Sequence, residues 1–234
     1  MKIGVFDSGY GGITILAAIK KLLPHEKYSY IADSENCPYG EKSDEDLYHI
    51  VTCNVEKLKK WGAKIIVVAC NTATVKCITQ LRKDYPEIRF VGTEPAINLA
   101  TRRRSTKNIL VLATPGTVHS ERTLKLEKSA KLPGQNIQLL ACPGLADAIE
   151  QSIHITRQDR AETAKVDERS YPTLSQLLDQ LLPDDCTAYD AVVLGCTHYP
   201  LILPLFKQKF PRATIVDGSQ GVARQVARLC RKSS

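Results

Sequence analysis

Short apolar runs alternate with helix-patterned stretches along nearly all of the chain. KIGVFD (2 to 7) reads as a first strand, and after a glycine-rich turn Ile13, Leu16, Ile19 and Leu23 recur at helical spacing. A second helix is expected to begin after Ser43, an N-cap residue with Asp46 three positions on, to carry the stripe Leu47, Ile50, Val51, Leu58, and to stop near Gly62. KIIVVAC (64 to 70), RFVG (89 to 92), NILVLA (108 to 113), NIQLLA (136 to 141), AVVLG (191 to 195) and ATIVD (213 to 217) read as further strands, each followed by a turn or a helix. Such alternation predicts an α/β fold: two similar lobes, each a mainly parallel sheet flanked by helices, with a site in the cleft between them. The expected division is 1–92 plus 207–234 for an N-terminal lobe and 93–206 for a second one, the boundary falling at the GTEPA turn (92 to 96). The stretch from His154 to Arg169 is polar, lacks an apolar period and reads as an exposed or frayed segment.

Two of the strand ends repeat one pattern. VVACNTATV (67 to 75) and VVLGCTHYP (192 to 200) are apolar runs that end in a cysteine followed at once by a threonine-bearing turn. In open α/β sheets ligands collect at the carboxyl ends of the strands, where the next helix offers free N–H groups and the positive end of its dipole. A cysteine at that point can have its thiolate favoured, although a lone cysteine at a strand end also serves as a small core residue. The pair changes the balance. Asn71, Thr72 and Thr74 accompany Cys70, Thr197 and His198 accompany Cys196, and a third strand end supplies Asp7 and Ser8. Two thiols facing each other across a cleft can take a proton from one face of a carbon and return one to the other, which inverts a stereocentre.

Composition removes several classes. A chain of 234 residues can bury roughly three quarters or less of its unfolded surface, enough for one large domain or two small lobes without staples. No apolar stretch approaches the roughly 20 residues of a membrane span, and the opening MKIGVFDSG has no long apolar core of a secretory signal, so a cytoplasmic protein without a membrane partner is expected. Without a secretory signal the eight cysteines are not expected to form a disulfide framework, and the absence of a C-x-x-C removes the commonest zinc signature. The formal charge is +7, with Arg102, Arg103 and Arg104 as its densest cluster; without an aromatic or glycine-rich binding motif around it, this reads as a solvated loop and not as a nucleic-acid surface. Basic charge also suits a small anionic substrate.

The blocks GVFDSGYGG (4 to 12), ADSENCPYGEKS (32 to 43), VVACNTAT (67 to 74), GTEPA (92 to 96), LATPGTV (112 to 118), ACPGLADAIE (141 to 150), VVLGCTHYPL (192 to 201) and IVDGSQGVA (215 to 223), in that order, resemble the bacterial glutamate racemase family of the cofactor-independent aspartate/glutamate racemase superfamily. The resemblance implies two-base proton transfer at Cα of glutamate with no cofactor and no metal, supplying D-glutamate for peptidoglycan. It assigns Cys70 to the α-proton of the D-enantiomer and Cys196 to that of the L-enantiomer, with Asp7 supporting Cys70, and Glu150 and His198 assisting Cys196. Ser8, Pro38, Tyr39, Gly40, Asn71, Thr72, Thr114, Thr117 and Thr197 would line the substrate pocket with Asp7 and His198. Glutamate is the expected partner and a homodimer the expected assembly.

The residues keep some alternatives open. Asp7 also suits a turn before Ser8 and Gly9, Asp147 competes with Glu150 as the local carboxylate, His198 could serve only as a helix-start residue, and Tyr39 could be turn chemistry or offer its hydroxyl to a substrate carboxylate. Competing functions are a racemase for aspartate or a hydantoin, and a cysteine hydrolase built on Cys196 and His198, which would leave Cys70 without a role.

Overall fold

The computed structural model describes residues 1–102, 105–154 and 165–231. Its first half runs β1 (Lys2–Asp7), α1 (Ile13–Leu22), β2 (Lys27–Ala32), α2 (Asp44–Trp61), β3 (Ile65–Val68), α3 (Asn71–Asp84), β4 (Arg89–Gly92) and α4 (Ile97–Thr101). The second runs β5 (Asn108–Ala113), α5 (Pro115–Val118), α6 (Glu121–Ala130), β6 (Asn136–Ala141), α7 (Leu145–Gln151), β7 (Ile153–His154), β8 (Lys165–Val166), α8 (Tyr171–Leu181), β9 (Ala191–Leu194), α9 (Leu203–Lys209), β10 (Thr214–Asp217) and α10 (Ser219–Arg231). Two four-stranded sheets form, in the orders β2-β1-β3-β4 and β10-β9-β5-β6, and every pairing within them is parallel. Taken in chain order, the strands of each sheet are arranged second, first, third, fourth. The two lobes therefore share one topology, and β3 and β9 hold the same place in it.

Burial on both faces explains the near-continuous apolar runs. In the first sheet Ile3, Val5, Ile65 and Val67 pack with α1 and α10, while Phe6, Ile66 and Val68 point the other way onto α2 and α3. The second sheet repeats this, with Ile109, Val111 and Val193 on the α4 and α6 side and Leu110, Leu112, Val192 and Leu194 on the side of α7, α8 and α9. Helix boundaries follow their caps. The Ser43 side chain accepts from the Asp46 N–H at 3.1 Å, and α2 ends on Gly62 at φ 95°, a left-handed geometry that glycine adopts without strain.

The expected return of 207–234 to the first lobe is corrected in its leading part. Leu205, Phe206 and Phe210 lie in the second lobe's core, and Thr214–Asp217 pairs in register with Ala191–Leu194. Only α10 crosses over, placing Val222, Ala223, Val226 and Cys230 against the first sheet. A strand unforeseen from sequence, β2, is an edge strand whose residues are only half buried, so KYSYIA lacks the apolar run that marks the inner strands. Of the polar segment from 154 to 169, residues 155–164 lie outside the described residues; Lys165–Val166 pairs antiparallel with Ile153–His154. Arg103 and Arg104 also lie outside them.

Candidate active site

Each sheet changes direction of winding between its first and third strands, the switch point at which α/β folds bind ligands beyond the strand carboxyl ends. Asp7 and Ser8 leave β1 there and Cys70 follows β3; across the cleft Thr114 leaves β5 and Cys196 follows β9. The two cysteines thus occupy equivalent positions in the two lobes, and both line one cavity of ≈ 100 Å³. That volume matches a small metabolite better than the drug-sized ligands that fill pockets of about 300–1,000 Å³.

On the first lobe, Cys70 is the N-cap of α3, and its Sγ lies 3.7 Å from Ser8 Oγ. Burial raises its thiol pKa, and the nearby Asp7 carboxylate raises it further, against the pull of the Ala73 N–H. Asp7 is fully buried. Its Oδ2 accepts from the Gly12 N–H at 2.6 Å and from Thr197 Oγ1 at 3.1 Å, a bond that crosses the cleft. Burial raises the Asp7 carboxyl above its ordinary 3.8, opposed by the charge of His198 and by those hydrogen bonds.

The second lobe surrounds its cysteine differently. Cys196 Sγ is 3.8 Å from His198 Nδ1, and His198 Nε2 is 2.8 Å from Glu150 Oε2. Burial alone would lower the His198 pKa, but the Cys196 sulfur and the Glu150 carboxylate, with Asp7 further off, raise it well above 6.5. For Glu150 burial acts upward, and His198, Ser34 and the Tyr10 N–H outweigh it, holding the carboxyl below its ordinary 4.5. Glu150 and not Asp147 is the carboxylate bonded to His198, while Asp147 reaches the cavity wall and accepts from Gln151 at 2.9 Å.

Ser8, Pro38, Tyr39, Gly40, Asn71, Thr72, Thr114, Thr197 and His198 line the cavity with the two cysteines. Asp7, Glu150 and Thr117 stand behind it. Thr117 Oγ1 accepts from Thr114 Oγ1 at 3.0 Å, and Thr72 and Thr114 share a hydrogen bond of 2.9 Å, so three hydroxyls from both lobes form one cluster. The Tyr39 hydroxyl donates to Asp33 Oδ2 at 2.6 Å and receives Asn54 Nδ2 at 3.2 Å, so it anchors the 37–41 turn.

Sequence reasoning missed Cys37 and Cys142, which also line the cavity. Burial pushes each of these thiols up to about 12. Their positions inside ADSENCPYGEKS and ACPGLADAIE were the available signal. It also missed Ser34, Asp33 and Asn54, whose roles depend on partners distant in sequence. Among the described residues no group of three or more His, Cys, Asp or Glu side chains is placed to hold a metal ion, and no helix is long and apolar enough to cross a membrane.

A two-lobed α/β fold with paired thiols at equivalent strand ends defines an amino-acid racemase class, and the profile of the Asp/Glu/Hydantoin racemase family matches residues 13–226. The chain belongs to that family. It is 36% identical over 233 residues to the glutamate racemase of Pseudomonas syringae pv. tomato, covering 99% of this chain and 79% of that protein, and 38% identical over 228 residues to the one from Roseiflexus sp., covering 97% and 78%. Among solved structures, Escherichia coli glutamate racemase in complex with L-glutamate and the activator UDP-MurNAc-ala superposes with a TM-score of 0.80 at 30% identity, over 97% of this chain and 81% of that one. Thermus thermophilus glutamate racemase in complex with β-chloro-D-alanine gives 0.76 at 29%, over 99% and 81%.

Proposed function

We propose that this protein interconverts L- and D-glutamate without a cofactor, through Cys70 and Cys196 acting on opposite faces of Cα. The observation that carries the reading is the placement of both thiols at topologically equivalent strand ends around one small cavity. Kinship with glutamate racemases, one of them holding L-glutamate, favours glutamate over aspartate or a hydantoin.

In the L to D direction the Cys196 thiolate takes the α-proton. The electron pair of the Cα–H bond passes toward the α-carboxylate. The Cys70 thiol then delivers its proton to the other face, leaving Cys196 as the thiol and Cys70 as the thiolate; the D to L direction reverses every transfer. Burial and Asp7 favour the protonated form of Cys70, which suits it as the acid in the L to D direction, and a cationic His198 stands beside Cys196. Backbone N–H groups at the start of α3, with Thr72 and Thr114, provide donors for carboxylate charge that grows as the proton leaves. Asp7 and Ser8 support the Cys70 side, and Glu150 acts through His198 on the other.

Within this reading the enzyme is cytoplasmic, supplies D-glutamate for peptidoglycan, and assembles as a homodimer, which light scattering would count directly. The deciding experiment follows the circular dichroism of L- and D-glutamate with the purified, chelator-dialysed protein. Both enantiomers should relax to zero ellipticity, with aspartate and a hydantoin unchanged. Activity on aspartate alone, or activity that needs added metal or pyridoxal phosphate, would overturn it.

A further inference from the structure

The carboxylate behind His198 is held from the opposite lobe. Glu150 belongs to α7, yet its Oε1 accepts from Ser34 Oγ at 2.5 Å, and its Oε2 accepts from the Tyr10 N–H at 3.0 Å, both donors from the first lobe. Only the third partner, His198 Nε2 at 2.8 Å, comes from its own lobe. Space around the carboxylate is closed as well, since a Cβ placed on Gly9 would stand 2.4 Å from Glu150 Oε1. Protonated at both ring nitrogens, His198 donates Nε2–H to this carboxylate and Nδ1–H toward the Cys196 sulfur. A charge-assisted bond from a hydroxyl keeps a carboxylate ionised and oriented, and the ionised carboxylate in turn keeps the imidazole protonated.

We infer that Ser34 is a positioning residue for proton abstraction by Cys196: its hydroxyl completes, across the cleft, the chain Ser34–Glu150–His198–Cys196. This rests on the two-thiol reading above. Among the described residues the Cys70 side has no such histidine–carboxylate chain: its sulfur has the Ser8 hydroxyl and the Ala73 N–H, with the Asp7 carboxylate nearby. Loss of the Ser34 hydroxyl therefore raises the barrier for the step at Cys196 and leaves the step at Cys70 nearly as it was.

That asymmetry has a readout that simple loosening of the 33–41 segment does not share. The enantiomers of glutamate have equal free energies in water, so kcat/KM must fall by the same factor in both directions. Isotope effects are free of this constraint. In Ser34→Ala we expect kcat/KM to fall about tenfold. The α-deuterium isotope effect on L-glutamate should rise, because its Cα–H bond now breaks in the limiting step. The effect on D-glutamate should shrink toward unity. Ser34→Thr, which keeps the hydroxyl, should restore the wild-type pair of values, and the isosteric weak donor Ser34→Cys should fall between. Racemisation of glutamate by the wild-type protein, measured alongside, tests the functional reading separately. If the wild type racemises while Ser34→Ala stays within about twofold of it, or if both isotope effects move together, the assignment of Ser34 is overturned and the two-thiol reading stands. Should Ser34→Ala fail to fold by far-ultraviolet circular dichroism, the Thr and Cys variants decide: equal isotope effects in both would refute the inference.

Discussion

The two sides of the cavity occupy equivalent places in equivalent sheets, yet their electrostatics differ. Cys70 sits next to a buried carboxylate that is unfavourable to a second negative charge. Cys196 sits next to a histidine whose cation is stabilised by Glu150. Shared topology places two sulfurs symmetrically; separate neighbours give one an adjacent carboxylate and the other an adjacent imidazolium. The comparison explains how a repeated strand-end device can serve a reaction that needs one acid and one base at the same moment.

The largest effect should come from removing either sulfur. Cys70→Ala and Cys196→Ala should each lower racemisation by about 10³-fold or more, measured by loss of glutamate ellipticity. In heavy water the first should exchange the α-hydrogen of L-glutamate alone and the second that of D-glutamate alone; exchange of both enantiomers by either variant would break the comparison.

Replacing the histidine sharpens it. His198→Asn should cost about 10²-fold in kcat/KM, less than loss of a sulfur, since the thiol remains. The same variant reports on stability. Folded His198 keeps its proton at pH values where an unfolded histidine, with its ordinary value of 6.5, has lost it. Its contribution is therefore fully present below 6.5 and is lost as pH rises through the raised folded value. Glu150 acts in the opposite sense, contributing above 4.5 and fading as pH falls through its depressed folded value. Urea midpoints of the wild type should decline above pH 6.5 in a way that His198→Asn does not reproduce.

The smallest effect belongs to Tyr39, which lines the cavity while its hydroxyl is bonded to Asp33. Tyr39→Phe should lower stability by about 0.5–1.5 kcal/mol, read from urea unfolding, because half-buried Asp33 loses its shortest donor and keeps Asn36 and Asn54. Racemisation should fall by no more than a few-fold. A loss as large as that of His198→Asn would mean that the hydroxyl meets substrate after all.

Much of this was legible in the chain. Strands buried on both faces announce themselves as uninterrupted apolar runs, so Ile65–Val68, Asn108–Ala113 and Ala191–Leu194 could be placed to within one or two residues. The paired cysteine turns mark two strand ends that line one cavity. Two kinds of feature stayed hidden. The edge strand Lys27–Ala32 and the sheet membership of Thr214–Asp217 depend on which neighbour a strand finds, and periodicity carries no information about neighbours. Ser34 and Asn54 gain their meaning from Glu150 and Asp33, and a hydrogen bond between residues far apart in sequence leaves no local pattern.

The crossing of α10 has a consequence for biosynthesis. Val222, Ala223, Val226 and Cys230 complete the core of the lobe that begins the chain, but a ribosome makes them only after the whole second lobe. Until then the α1 side of the first sheet is covered by α1 alone, and the apolar side chains Ile3, Val5 and Val67 have only part of their partners. The core of the N-terminal lobe is therefore completed only after the second lobe has been made.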